Sequence, residues 1–161
     1  MKRLLWLAFA LLLSACASRA PLPARLPHLA LPLQLHVERL QGQQRQDWLL
    51  VIQQQDNGLR WSMIDPLGIP VARQKLLDGE WQADGLLPPN PAARELFAAL
   101  LFAFTDARDL TQLYPTATQG DHLRQLGSRW AVRYRASTDL TLTLDQGLRY
   151  DITPLPVEAS Q

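Results

Sequence analysis

Leu96-Phe97-Ala98-Ala99-Leu100-Leu101-Phe102-Ala103-Phe104 runs nine residues without a polar side chain. Just ahead of it, Asn90 is a capping residue type, Pro91 suits the first helical position, and Arg94 and Glu95 fall in the first turn. The stretch reads as a helix that is apolar all round, and such a helix must be buried on most sides. Thr105 or Asp106 can cap a second, short helix that ends near Tyr114, before Pro115. The cover for the first helix has to come from its flanks, and both flanks read as strands.

Upstream, Leu33, Leu35 and Val37 alternate with Gln34, His36 and Glu38, the mark of a strand with one wet face. Gln41-Gly42 is a turn, residues 48–52 form a continuous apolar run, and Asp56-Asn57-Gly58 is the strongest hairpin signal in the chain. Residues 59–64 return. Asp65-Pro66-Leu67-Gly68 turns again, because proline presets φ and glycine accepts positive φ. Residues 69–76 and 80–83, separated by Leu77-Asp78-Gly79, complete an antiparallel meander of about five strands. Downstream, Trp130, Val132 and Tyr134 alternate with Arg129, Arg133 and Arg135, and Leu140, Leu142 and Leu144 alternate with Thr141 and Thr143. Asp145-Gln146-Gly147 turns into a last strand at 148–153, and Pro154 and Pro156 end the fold. The expected class is α+β: a curved antiparallel sheet closed by the apolar helix, with a second short helix. A curved sheet closed by a helix is a natural pocket for an apolar ligand. Alternatively, Phe97, Phe102 and Phe104 simply fill a core.

The N-terminus carries a different signal. Lys2 and Arg3 precede an apolar run from Leu4 to Leu13, which at 1.5 Å per residue reaches only about 15 Å, roughly half of a bilayer core. A basic start, a short apolar stretch and small residues describe an export signal. Leu13-Ser14-Ala15-Cys16 resembles the lipobox of bacterial lipoproteins, in which the cysteine sulfur takes a diacylglycerol, the chain is cut before it and the new amino group is acylated. Cys16 is the only cysteine, so the mature chain has no disulfide. Cleavage removes 15 of 161 residues and leaves 146, a length for a single domain. With Lys2 and Arg3 gone, 14 basic side chains face 15 acidic ones, a balance that argues against nucleic acid as a partner. Residues 16–32, with Pro21, Pro23, Pro27 and Pro32, read as an extended tether, with Arg19 and Arg25 as solvated linker residues near the lipid. The expected division is 1–15 signal, 16–32 lipidated cysteine and tether, 33–157 folded domain, and 158–161 tail.

Chemistry finds little support. His28 lies in the tether, and His36 and His122 fall on solvent faces; no histidine or cysteine pair has metal-ligand spacing. There is no Gly-x-Ser-x-Gly elbow and no phosphate-cradling glycine loop, and Ser62 lies inside a strand without a nearby base. Capping explains Asp106 and Asp109 more cheaply than acid–base work does. Neither an enzyme nor a cofactor or metal is expected.

Residues 49–83, a strand pair, the Asp65-Pro66-Leu67-Gly68 turn, an alternating strand and an acidic-Gly turn, resemble the middle of the outer-membrane lipoprotein receptor of the Lol pathway and its carrier relatives. The order of signal, tether, meander, apolar helix and closing strands is similar along the whole mature chain. The chain resembles still more a group of small lipoproteins whose genes accompany aryl-polyene biosynthesis clusters. It departs from the receptor in its proline-rich tether, shorter domain and more apolar helix. The resemblance implies an incomplete β-barrel with a helical lid and an apolar cavity, for which Trp48, Trp61, Trp81, Phe97, Leu101, Phe104 and Trp130 are the candidate lining residues. It also implies that Leu67, held between Pro66 and Gly68, protrudes to meet a membrane or partner. Ala17 after the cysteine, where enterobacterial lipoproteins retained in the inner membrane have aspartate, points to the outer membrane, periplasmic face. Two functions remain open: binding or transfer of an acyl or polyene chain or a lipoprotein, or a non-catalytic adaptor that docks an envelope export complex.

Overall fold

The computed structural model describes residues 19–156; the signal, Cys16 and the tail from residue 157 lie outside the described residues. Ten strands and two α-helices follow one another as β1 (Leu33–Gln41), β2 (Gln44–Gln55), β3 (Gly58–Ile64), β4 (Pro70–Leu77), β5 (Glu80–Ala83), α1 (Pro91–Phe104), α2 (Ala107–Leu113), β6 (Ala117–Gln119), β7 (Leu123–Leu126), β8 (Trp130–Tyr134), β9 (Leu140–Leu144) and β10 (Arg149–Pro154). All strands join one antiparallel sheet in the order β5-β4-β3-β2-β1-β10-β9-β8-β7-β6. Two five-strand meanders are thus sewn together where β1 pairs with β10, Val37 opposite Ile152. The class is α+β, as expected, with a curved sheet. Its edges β5 and β6 flank the chain segment that carries both helices, and they do not pair among the described residues. Strands β6 and β7, only three and four residues long, fall where no strand was expected, because their Thr, Gln and Arg content hides the period-two pattern.

Alternation decides which face of the sheet is buried. Leu35 and Val37, Leu50 and Ile52, Leu59, Trp61 and Met63, Ala72 and Leu76, Trp130 and Val132, Leu140 and Leu142, and Tyr150 and Ile152 all point to the core. They meet α1, whose residues from Leu96 to Ala103 are buried throughout. The helix starts as its sequence dictates: Asn90 Oδ1 accepts from the Ala93 amide at 3.1 Å, and Pro91 follows at the first helical position. Asp106, not Thr105, caps α2, accepting from the Arg108 amide at 2.9 Å.

The β2–β3 hairpin forms where Asp56-Asn57-Gly58 announces it, for a different reason than glycine's freedom at positive φ. Asp56 carries the positive φ, +52°. A Cβ on Gly58 would lie 2.2 Å from the Leu76 carbonyl oxygen, so glycine is needed there to let β4 approach.

Antiparallel pairing sorts the turns to two ends of the sheet. The β1–β2, β3–β4, β7–β8 and β9–β10 connections lie at one end, which holds Leu67; the β2–β3, β4–β5, β6–β7 and β8–β9 connections and the start of β1 lie at the other. The expected tether corrects in one respect: its described part does not stand clear of the domain. Pro23 and Pro27 are buried, and Ala20, Leu22, Leu26, Leu29 and Leu31 pack against the core. Arg25 is exposed and also donates to Asp109 Oδ1 at 3.3 Å and Gln112 Oε1 at 3.0 Å on α2. Sequence reading missed this because prolines set an extended backbone but do not say what it lies on.

Candidate functional site

The interior candidates divide between two clusters along α1. In the first, Trp61 from β3 stacks on Phe97 at 5.2 Å between ring centroids, and Trp81 from β5 meets both rings at 5.9 Å. Trp61 and Phe97 are fully buried, and Trp81, on the edge strand, is half-buried. The indole N–H groups of both tryptophans are buried without a hydrogen-bond partner. An unpaired buried donor costs about 1–3 kcal/mol, so this cluster is held by its apolar contacts alone.

In the second cluster, Phe102 packs against Tyr114 at 5.0 Å and Trp130 at 5.6 Å. Here the Trp130 indole and the Arg129 guanidinium find acceptors. The Trp130 indole donates to Glu95 Oε1 at 2.7 Å, while Arg129 donates to both carboxylate oxygens at 2.8 and 2.7 Å. Burial raises the Glu95 pKa, but the bonds from Arg129 and Trp130 outweigh it and hold the carboxyl below its ordinary value. At the C-terminal end of α1, the buried Arg124 of β7 donates through Nη1 to the carbonyls of Phe102, Ala103 and Thr105 at 2.9, 3.2 and 2.7 Å. Its guanidinium also lies 5.7 Å from the Phe102 centroid and 5.5 Å from that of Tyr134. These carbonyls are the groups a helix end leaves without partners, so Arg124 acts as a cap supplied by the sheet. Burial depresses the Arg124 pKa and raises that of Tyr134 to about 12; the Tyr134 hydroxyl donates to the Ala103 carbonyl at 2.8 Å.

Of the other candidates, Leu101 is buried in the core, Phe104 is half-buried at the end of α1, and Trp48 is half-buried, 6.5 Å from Tyr150. The structure therefore brings Trp61, Trp81 and Phe97 together, sets Trp130 in the second cluster, and leaves Trp48 apart from both. Sequence reasoning missed Glu95, Arg124 and Gln74. Gln74 points inward from β4, donating to the Asn90 carbonyl at 3.3 Å and accepting from Arg94 Nε at 2.6 Å. For Arg124 a signal existed: it stands two residues before Leu126, on the same face of the strand. Asp84, just past β5, is buried with Arg60 Nε at 2.8 Å and Lys75 Nζ at 3.6 Å. Burial pushes its carboxyl up, but the two cations bring it below the ordinary value.

Outside the core, the β3–β4 loop is built by Asp65. Its carboxylate accepts from the amides of Leu67 and Ile69 at 2.9 and 2.8 Å, while its backbone bonds to Gly68 and Ile69. Gly68 adopts φ +82°. Leu67 is thereby held 84 % exposed, with Ile69 56 % exposed beside it. The loop is polar in its framework and apolar at its tip.

Two surface pockets lie at the same end of the sheet as this loop. One, of about 390 Å³, is lined by Pro21, Leu22, Leu113, Tyr114, Leu126 and neighbouring residues. The other, of about 440 Å³, is lined by Glu95, Ser128, Arg129, Leu144, Asp145 and Leu148. Neither is lined by the tryptophan candidates. Among the described residues no helix is long and apolar enough to cross a membrane, and no group of His, Cys, Asp or Glu is placed to hold a metal. His36 binds Asp47 at 2.9 Å on the outer face, and His122 is exposed. No protein-family model and no curated protein matches the chain.

Proposed function

We propose that the protein is a lipid-anchored outer-membrane lipoprotein, lipidated at Cys16 and facing the periplasm, that binds or passes on an acyl or polyene chain or a lipoprotein without catalysis. The sheet is read as an incomplete β-barrel closed by α1, with the helix occupying the ligand space in this conformation. The observation that carries the reading is the Trp61–Trp81–Phe97 cluster: three packed aromatic rings beside a four-residue edge strand, with two buried indole donors that lack acceptors. Parting the rings there breaks no hydrogen bond of their own, although the Gln74 bonds to Asn90 and Arg94 tie the start of α1 to β4, and a ligand that enters brings an acceptor to the indoles. A chain of about twelve CH₂ groups is worth roughly 10 kcal/mol of burial, so such a site competes with a bilayer only by matching it closely. That near balance suits transfer. The resemblance to the Lol-pathway receptor and the exposed Leu67 support the same reading.

A fluorescent fatty-acid probe should then bind a delipidated soluble chain starting near residue 19, with energy transfer from tryptophan and displacement by natural lipid. Trp61→Phe and Trp81→Phe should weaken the transfer more than Trp48→Phe does. Absence of probe binding would favour the second reading, an adaptor that docks an envelope export complex through Leu67 or a sheet edge. The ring-on-ring packing of Trp61 against Phe97 favours that reading, since a solid core leaves only the surface to work with.

A further inference from the structure

The segment expected to be an extended tether bears, once docked, on where the membrane lies relative to the fold. Pro21 and Leu22 sit beside Leu126 and Gly127, at the end of the sheet that carries Leu67. From there the chain passes along α2, where Arg25 bonds to Asp109 and Gln112, and reaches the opposite end only at Leu33, where β1 begins. The strap thus runs the length of the sheet with its own Pro23 and Pro27 buried, and its prolines hold it extended. Ala20, which packs against the core, lies four residue steps from Cys16, a reach of at most about 14 Å. A free spacer from Cys16 to Leu33 would reach about 50 Å at the polyproline rise and let the domain turn in any direction.

We infer that the docked strap holds the Leu67 end of the sheet against the lipid surface, so that Leu67 and Ile69 enter the interface while the opposite end, with Asn57 at its tip, faces the periplasm. The inference rests on the proposed lipidation of Cys16. It goes beyond it by assigning an orientation and an occupant to the exposed apolar tip: the bilayer in which the protein's own acyl chains are anchored. Two exposed branched aliphatic side chains on a loop braced by Asp65 are unfavourable in water and favourable in an acyl layer, by roughly the burial energy of each. The strap supplies the proximity that makes so small a contact persist, since tethering near the surface raises its effective concentration.

The test uses the lipidated chain purified from membranes and placed in phosphatidylethanolamine–phosphatidylglycerol vesicles that contain brominated lipid. With Cys16 acylated, an introduced cysteine is the only free thiol, so Leu67→Cys and Asn57→Cys can each carry one environment-sensitive fluorophore. The label at position 67 should be quenched several-fold more than the label at 57. Inserting a Gly-Ser spacer of about thirty residues between Arg19 and Ala20 leaves the strap docked but frees the domain from the anchor, and should bring the two values together. A lipidated, vesicle-bound chain with equal quenching at both positions overturns the orientation alone. A chain whose mass shows no acyl groups on Cys16 overturns the anchor, and with it the orientation.

Discussion

Trp61 and Trp130 are the same residue type, both fully buried, both pressed against α1 from opposite halves of the sheet, yet they are held in opposite ways. The Trp130 indole reaches a carboxylate that Arg129 also grips, and one turn beyond Phe102 the guanidinium of Arg124 closes the helix end. The Trp61 indole reaches nothing, and its neighbour Trp81 hangs on an edge strand. Apolar burial is nondirectional and tolerates sliding, whereas charge-assisted hydrogen bonds fix a geometry. The second meander therefore clamps the helix through charged groups, whereas the first bonds it only at its start, where Gln74 meets Asn90 and Arg94, and covers Phe97 with apolar rings alone. If the fold opens to take a ligand, it opens on the Trp61 side.

Substitutions can break this contrast at either end. The largest effect is expected at Arg124: Arg124→Met keeps most of the volume but leaves the Phe102, Ala103 and Thr105 carbonyls without their donor. That should cost about 4 kcal/mol in urea unfolding. Next come the tryptophans themselves. Trp130→Phe should cost about 3 kcal/mol, a lost bond added to a cavity, while Trp61→Phe should cost about 1 kcal/mol or less, because removing an unpaired donor offsets the lost volume. Equal losses at the two positions would show that the Trp61 indole is bonded after all.

The contrast was only partly legible in the sequence. Strand alternation gave eight of the ten strands, and the run from Leu96 to Phe104 with Asn90-Pro91 ahead of it gave α1, because these depend on local pattern. The pairing of Glu95 with residues 34 and 35 positions away, and of Arg124 with carbonyls about 20 positions away, has no local signature. Nor has the docking of residues 20–31, whose leucines and prolines fit a loose linker as well as a packed strap. Leu67 was legible as an exposed tip because Pro66 and Gly68 flank it; the Asp65 bonds that brace it were not.

Glu95→Gln sharpens the comparison through pH. The folded-state pKa of Glu95 is depressed below its ordinary 4.5, so its stabilisation is complete above that value and fades as pH falls through the folded pKa. At pH 7 the variant should be less stable by about 2 kcal/mol, the half-exposed relative of a buried pair losing one partner. The gap should narrow in acid, and some acid sensitivity should remain in both proteins because the Asp84 carboxyl is also held down, by Arg60 and Lys75. The smallest stability change is expected at Leu67. Leu67→Glu should shift unfolding by less than about 0.5 kcal/mol, since the side chain touches little, yet it should abolish cellular activity because a charge resists entry into lipid. A variant normal in both respects would remove the loop from the mechanism.

The central claim is that a lipid anchor and a hydrophobic cargo belong to one small protein. Native mass spectrometry of the chain released from its own membranes tests it most directly. The expected spectrum shows a chain beginning at Cys16 with diacylglyceryl and N-acyl masses, plus a noncovalent adduct of a hydrophobic molecule that Trp61→Glu removes and Trp48→Phe leaves in place. A mature chain that carries its acyl groups but no adduct, from membranes rich in candidate lipids, would contradict the carrier reading and leave the adaptor in its place.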